Sequence, residues 1–335
     1  MDLREINDNI VTNGNYSVFN AHFCIFLSEL AYKRQDYVNR VLEPFQIPQH
    51  PSPLHNFAVH HIESGDTQCF VLVFGSNVFV TFRGTEYNNL HGFIQDWNTD
   101  LNIQQVEFHA GNANAGNVHK GFNDALNTVW ENIVGVLDDV CLNIENPRIW
   151  FTGHSLGGAL AIMLTARFAG LNNDNLGRIA GCYTFGAPMC GNANFQMHCD
   201  NLAISSKIFR FENNNDIVPS APFLGGHPAS FIGRIGVLAN AASNILFFAI
   251  PSPIYRHVGA LYYIDRHGSI NNDSSHLSRR IDYTVGGLTG GALLDKLLDH
   301  RHKKYFEPLR ENNQEAHLIP DIPDPLTPGS TCAMS

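Results

Sequence analysis

The chain has 335 residues, 44% of them hydrophobic and 16% charged, with 31 acidic residues against 21 Lys and Arg and a formal net charge of −10. This composition supplies a large apolar core. The acidic balance, with no run of five basic residues, argues against a nucleic-acid partner and against a purely electrostatic grip on anionic membranes.

The opening stretch MDLREINDNIVTNGNYS has no basic segment leading into an apolar run, so no secretory leader is expected. The expected location is cytoplasmic; a signal-free export route or a removed leader are the alternatives. Residues 19–43 carry Phe23, Phe26, Leu27, Leu30, Tyr37, Val38, Val41 and Leu42 at helical spacing, which predicts an amphipathic helix. The prolines of HPSPLHNF break that pattern. QCFVLVF and VFVTF then flank Gly75-Ser76-Asn77, which reads as a hairpin running into Arg83-Gly84-Thr85.

Residues 122–142 are again helical in pattern, stopped by Pro147. RIWFT reads as a short buried strand, GALAIMLTARFAG as a helix, and GCYTFGAP, SKIFRFEN and ALYYID as strands, the last at a sheet edge. Strands and helices joined by short connections predict an open α/β sheet with helices on its faces. Residues 231–250 approach the length of a membrane span but contain Arg234, Asn240, Ser243 and Asn244, so a buried or interface-seeking helix is expected there. Residues 284–294 carry two Gly-Gly pairs and are expected to form a loop entering a short helix. The proline-rich segment 312–335 is expected to be an extended tail beyond a single domain spanning 1–311. The seven cysteines include no C-x-x-C pair and no zinc spacing, and are expected to be buried thiols.

Gly153-His154-Ser155-Leu156-Gly157 fits G-x-S-x-G. The pentapeptide alone is a weak signal, but here a strand-like run ends before it and a helix-like run begins after it. A nucleophilic serine needs that context: a tight strand-to-helix turn exposes its hydroxyl, and flanking glycines remove Cβ atoms that would clash. The amide of Leu156, next in the chain and at a helix N-terminus, is a candidate oxyanion donor. A serine also needs a base and the base an orienting acid, following it in the order Ser, acid, His in α/β-hydrolases. Asp216, on a loop just past the strand-like KIFRF, is the candidate acid.

Five ordered stretches, FRGT (82–85), VHKGF (118–122), TGHSLGGALA (152–161), TFGAPMCGN (184–192) and NNNDIVPSAP (213–222), resemble motifs of the class 3 lipases, the α/β-hydrolases that include the filamentous fungal lipases. The resemblance implies a mostly parallel central sheet flanked by helices, with a lid segment. It makes Thr85 the second oxyanion-hole residue and puts the lid within 86–97, where Leu90, Phe93, Ile94 and Trp97 fall on one helical face. It also implies a catalytic histidine near the C-terminus in a D-H segment followed by a tyrosine. LLDHRHKKYF offers Asp299, His300 and Tyr305, which favours His300. His257 and His302 remain competitors, although an element like that around His257 belongs to the family's scaffold. His302 stands where the family often has an apolar or small residue. His154 is expected to shape the turn and His119 to be scaffold.

The resemblance thus implies a serine carboxylic ester hydrolase acting on acylglycerols at a lipid–water interface through Ser155, Asp216 and His300 and an acyl-enzyme, with no cofactor. His300-x-His302 and His60-His61 lack a carboxylate or cysteine set at zinc spacing, so no metal is expected. Phospholipase A1, a short-chain or feruloyl-type carboxylesterase, and an inactive lipase-like binding or signalling protein are the alternatives. Residues 231–250 are expected to form part of an acyl-binding wall or cap. The oligomeric state is left open.

Overall fold

The computed structural model describes residues 3–43, 57–85, 104–214, 216, 218–220, 255–272 and 300–321. The lid candidates Leu90, Phe93, Ile94 and Trp97, the segments 231–250 and 284–294, Cys332 and the end of the tail lie outside these residues.

The strands, in chain order, are β1 Phe57–Ser64, β2 Thr67–Phe74, β3 Asn77–Phe82, β4 Gln105–Ala110, β5 Ala113–His119, β6 Arg148–His154, β7 Ile179–Phe185, β8 Ile208–Asn213, β9 Ala260–Ile264 and β10 Ile270–Asn271. One sheet runs in the order β1-β2-β3-β6-β7-β8-β9-β10, and β4 and β5 form a separate ribbon. The central pairs from β3–β6 through β8–β9 are parallel, whereas β1–β2–β3 and β9–β10 are antiparallel. The hairpin expected around Gly75 is β2–β3, closed by Gly75 and Ser76 with Phe74 opposite Asn77. β9 is not an edge strand, because β10 pairs along its outer side.

Alternation along the strands builds two cores, since successive side chains point to opposite faces. From β2, Val71 and Val73 face one side, with Leu126, Val129, Ile133 and Leu137 of the helix Lys120–Asn143 and most of the helix Leu156–Ala169. Phe70, Leu72 and Phe74 face the other, with the helix Val18–Leu30 and with Tyr305, Phe306 and Leu309 of the helix Lys303–Asn312. Each such buried aliphatic or aromatic side chain contributes about 1.5–3 kcal/mol.

The single helix expected over 19–43 is two, Val18–Leu30 and Gln35–Leu42. No Gly or Pro stands between them. Instead Tyr32 and Lys33 donate i→i−3 bonds to Glu29 and Leu30, and Arg34 is extended. The first helix is not amphipathic either: it is buried nearly all round. Its interior polar side chains are paired, Asn20 with the Val11 backbone, Ser28 with the Cys24 carbonyl and His22 with Asn313. The tail expected from residue 312 begins with a packed stretch, where Leu318 and Ile319 are buried in the second core. Cys24, Cys69, Cys182, Cys190 and Cys199 are buried free thiols, and Cys141 is partly exposed. Among the described residues no helix is long and apolar enough to cross a membrane, and no cluster of three or more His, Cys, Asp or Glu side chains is set to hold a metal ion.

Candidate active site

Ser155 joins β6 to the helix Leu156–Ala169 at φ 59°, ψ −131°. A non-glycine residue held there carries strain of order 1–3 kcal/mol, which the surroundings must over-determine. They do so through close packing. A Cβ on Gly153 would lie 2.3 Å from the Gly157 carbonyl, and one on Gly157 would lie 2.5 Å from the Phe82 carbonyl. The glycines therefore let the helix start against both its own strand and the end of β3. The Ser155 amide donates to the Phe185 carbonyl, at the end of the neighbouring strand β7, at 2.9 Å. Its hydroxyl makes no capping bond to the helix, so it is not spent on holding the turn.

Thr85 is half-buried just past β3, and Leu156 opens the helix behind the serine. Gly84 brings the strand end against the elbow: its Cβ position lies 3.1 Å from Ser155 Cβ. Both oxyanion candidates thus flank Ser155 in the chain or in space.

Asp216 follows β8 and is buried. Its Oδ1 accepts from the Val218 amide at 2.9 Å. Its Oδ2 lies 2.7 Å from His300 Nδ1 and also accepts from the Tyr305 hydroxyl. Tyr305 in turn accepts from the Asn213 amide at 3.2 Å. An ionised carboxylate only accepts, so His300 presents N–H at Nδ1 and turns Nε2 away from the acid. Neither His300 Nε2 nor Ser155 Oγ has a hydrogen-bond partner among the described residues, although both are buried.

The end of β7 lies between the two halves. Phe185 takes the Ser155 amide bond, and the next residue, Gly186, has φ +61° with its Cβ position 2.8 Å from Asp216 Oδ2 and 2.9 Å from His300 Cε1. The His154 ring is 4.6 Å from that of His300, centroid to centroid. Ser155, Asp216 and His300 therefore converge at the C-terminal ends of β6, β7 and β8. The competing histidines pair elsewhere: His257 Nε2 is 3.5 Å from Glu212 and His302 Nε2 is 3.5 Å from Glu29. His119 caps the helix that follows it, accepting from the Phe122 amide.

Residues 79–226 match the family model for lipase (class 3). Over that stretch the chain is similar to the class 3 lipases. The chain is 31% identical over 158 residues to a lipase of Rhizomucor miehei, covering 46% of this chain and 38% of that protein. It is 26% identical over 259 residues to triacylglycerol lipase OBL1 of Ricinus communis, covering 63% of this chain and 47% of that protein. It thus spans less than half the length of these curated relatives. Among solved structures, the nonglycosylated LIP2 lipase of Yarrowia lipolytica superposes with a TM-score of 0.56 at 17% identity, over 91% of this chain and 95% of that one. The fold is α/β-hydrolase, as the sequence motifs imply.

Two features of this site do not follow from the motifs. Tyr305 shows in the sequence only as part of a D-H-then-Tyr pattern, with no sign that its hydroxyl reaches Asp216. His154, expected to shape the turn, also reaches His300.

Proposed function

We propose that the chain is a serine carboxylic ester hydrolase in which Ser155 is the nucleophile, His300 the general base and Asp216 its orienting acid. The observation that carries this reading is the buried Asp216–His300 pair set beside a serine held at φ 59° in a strand-to-helix turn. His300 Nε2 takes the proton of Ser155 Oγ as the oxygen attacks the acyl carbon. The oxyanion of the tetrahedral intermediate sits on the amides of Leu156 and Thr85. The alcohol leaves with the proton from His300, and water, activated by the same imidazole, releases the acid from the acyl-enzyme. Asp216 stabilises the imidazolium and fixes its tautomer. Side chains, backbone amides and water suffice for every step.

The substrate class we infer is an acylglycerol or a related lipid ester, on the strength of relatives named as lipases and as a triacylglycerol lipase. The test is a fluorophosphonate label followed by peptide mapping, with hydrolysis of a p-nitrophenyl ester series and of emulsified triacylglycerol. A label on Ser155 and a rate that rises on emulsion are expected. Absence of label sinks the hydrolase reading and leaves a binding or signalling role. Turnover of soluble short chains alone points to a carboxylesterase, and of phospholipid alone to a phospholipase A1.

A further inference from the structure

Resting on that hydrolase reading, we propose that His154, the second residue of the G-x-S-x-G turn, is a positioning residue for His300, and that Tyr32 sets its tautomer. His154 is buried at the end of β6. Its Nε2 lies 2.6 Å from the main-chain oxygen of His300, and its Nδ1 lies 2.9 Å from the Tyr32 hydroxyl. A carbonyl oxygen only accepts, so His154 Nε2 carries hydrogen and donates. A neutral imidazole then offers a lone pair at Nδ1, and the Tyr32 hydroxyl donates to it. The direction Tyr32 to His154 to His300 follows from the carbonyl at its end.

The ring stays neutral. Burial pushes the His154 imidazole well below its ordinary value, and the neighbouring His300 and His302 act in the same sense. It therefore holds one fixed donor while a proton passes through His300 during turnover.

The geometry gives this bond a task that Asp216 leaves undone. Asp216 fixes which nitrogen of His300 is protonated and holds one edge of its ring. The ring's distance from Ser155 depends also on where the backbone of residue 300 sits, at a turn before the helix Lys303–Asn312. His154 anchors that backbone, and His154 is covalently next to the nucleophile. The separation of base and nucleophile is thus set across a single side chain instead of through the long path by way of β8.

Tyr32 is held in its turn. Its ring stacks on His302 at 5.5 Å, and His302 faces the buried Glu29. Gly84, beside Thr85, leaves room for its hydroxyl, since a Cβ there would lie 2.2 Å from that oxygen. The histidine that departs from the family pattern at 302 therefore supports the tyrosine at the base of this relay. The relay also gives the helix Val18–Leu30 a reason to end where it does, just before Tyr32.

The test is steady-state kinetics on a soluble p-nitrophenyl ester for wild type, His154→Leu, His154→Gln and Tyr32→Phe, with 15N spectra of the imidazoles. His154→Leu is expected to lower kcat about 10- to 100-fold with KM within about twofold. His154→Gln, whose side-chain amide can donate to the His300 carbonyl, is expected to recover most of that loss. Tyr32→Phe is expected to lower kcat a few-fold. A folded His154→Leu with kcat within about twofold of wild type overturns the proposal. So does a Gln variant as slow as the Leu variant with the same fall in Tm. If His154→Leu does not fold, Tyr32→Phe decides, and unchanged kcat overturns it. The wild-type spectrum should show His154 as the Nε2–H tautomer; an Nδ1–H tautomer sinks the relay whether or not the chain hydrolyses esters. A wild type that is neither labelled nor active, yet has the Nε2–H tautomer, sinks the hydrolase reading instead.

Discussion

At the elbow, the restraints on Ser155 come mostly from within a few residues of it. A Cβ on Gly153 would run into the Gly157 carbonyl, and Gly158 donates back to the Ser155 carbonyl at 2.9 Å. At the C-terminal turn, the direct contacts on His300 reach it from far along the chain: Asp216 at its ring, with Tyr305 behind that acid, and His154 at its backbone. The first arrangement is a local steric solution, stamped into a short motif. The second is an assembly, and exists only when β6, β8 and the last helix are in place together. The two halves should accordingly fail in different ways when perturbed.

The largest separation comes from the reacting residues. Ser155→Ala and His300→Ala are each expected to lower kcat on a soluble ester by on the order of 10³-fold or more. His257→Ala, whose ring faces Glu212, should stay within a few-fold of wild type. Their stabilities should diverge. Ser155 Oγ makes no capping bond, so Ser155→Ala should leave Tm nearly unchanged. His300→Ala takes a partner from the buried Asp216 and should cost about 1–3 kcal/mol. Equal Tm losses in the two variants, measured by thermal melts, would erase the proposed contrast.

Next is the steric demand at the elbow. A Cβ at Gly157 would meet the Phe82 carbonyl at 2.5 Å and the Arg83 carbonyl carbon at 3.0 Å, both backbone atoms that cannot swing aside. Gly157→Ala is expected to cost about 3 kcal/mol or more, read as a fall in the urea midpoint. A near-neutral result would mean that the helix start is looser than its contacts imply.

Tyr305→Phe probes the other half. The hydroxyl donates to Asp216 and accepts from the Asn213 amide, so its loss leaves two buried groups one partner short. About a tenfold fall in kcat with little change in KM is expected. A change in KM alone would move Tyr305 out of the acid's support.

This division also governs what can be read from the sequence. Most of the central sheet and its helices are legible because β2, β3, β6 and β7 carry apolar runs and β8 alternates apolar and polar residues. Ser155 is legible because its requirements are local. β1, β4 and β5 are not, since the paired histidines of β1 and the Asn and Gly of GNANAGNVH mask the strand pattern. The end of the first long helix is invisible for another reason. No breaker residue stands at 31–34, and the turn is bound up with Tyr32 reaching His154. His300 can be chosen only by resemblance, because its partners lie far away in sequence and no spacing rule connects them.

The C-terminal half should also be the first to loosen in acid, and His22 supplies the test. It sits on the helix Val18–Leu30 against the last helix, edge-on to Phe306, with the Asn313 amide donating to Nδ1 at 3.1 Å. Burial, with a smaller contribution from the Arg310 charge, lowers its pKa from 6.5 to about 3. The folded protein therefore keeps this ring neutral, whereas the unfolded chain takes up a proton below about pH 6.5. The unfolded state binds more protons, so stability falls as pH drops through that value toward the folded pKa. Between about pH 7.5 and pH 6 this one residue should account for about 1 kcal/mol. Urea unfolding of wild type and His22→Leu at both pH values measures it. The wild type should lose about 1 kcal/mol more than the variant over that interval. Parallel losses would mean that the contact between these helices tolerates a charge, and that acid weakens the molecule elsewhere.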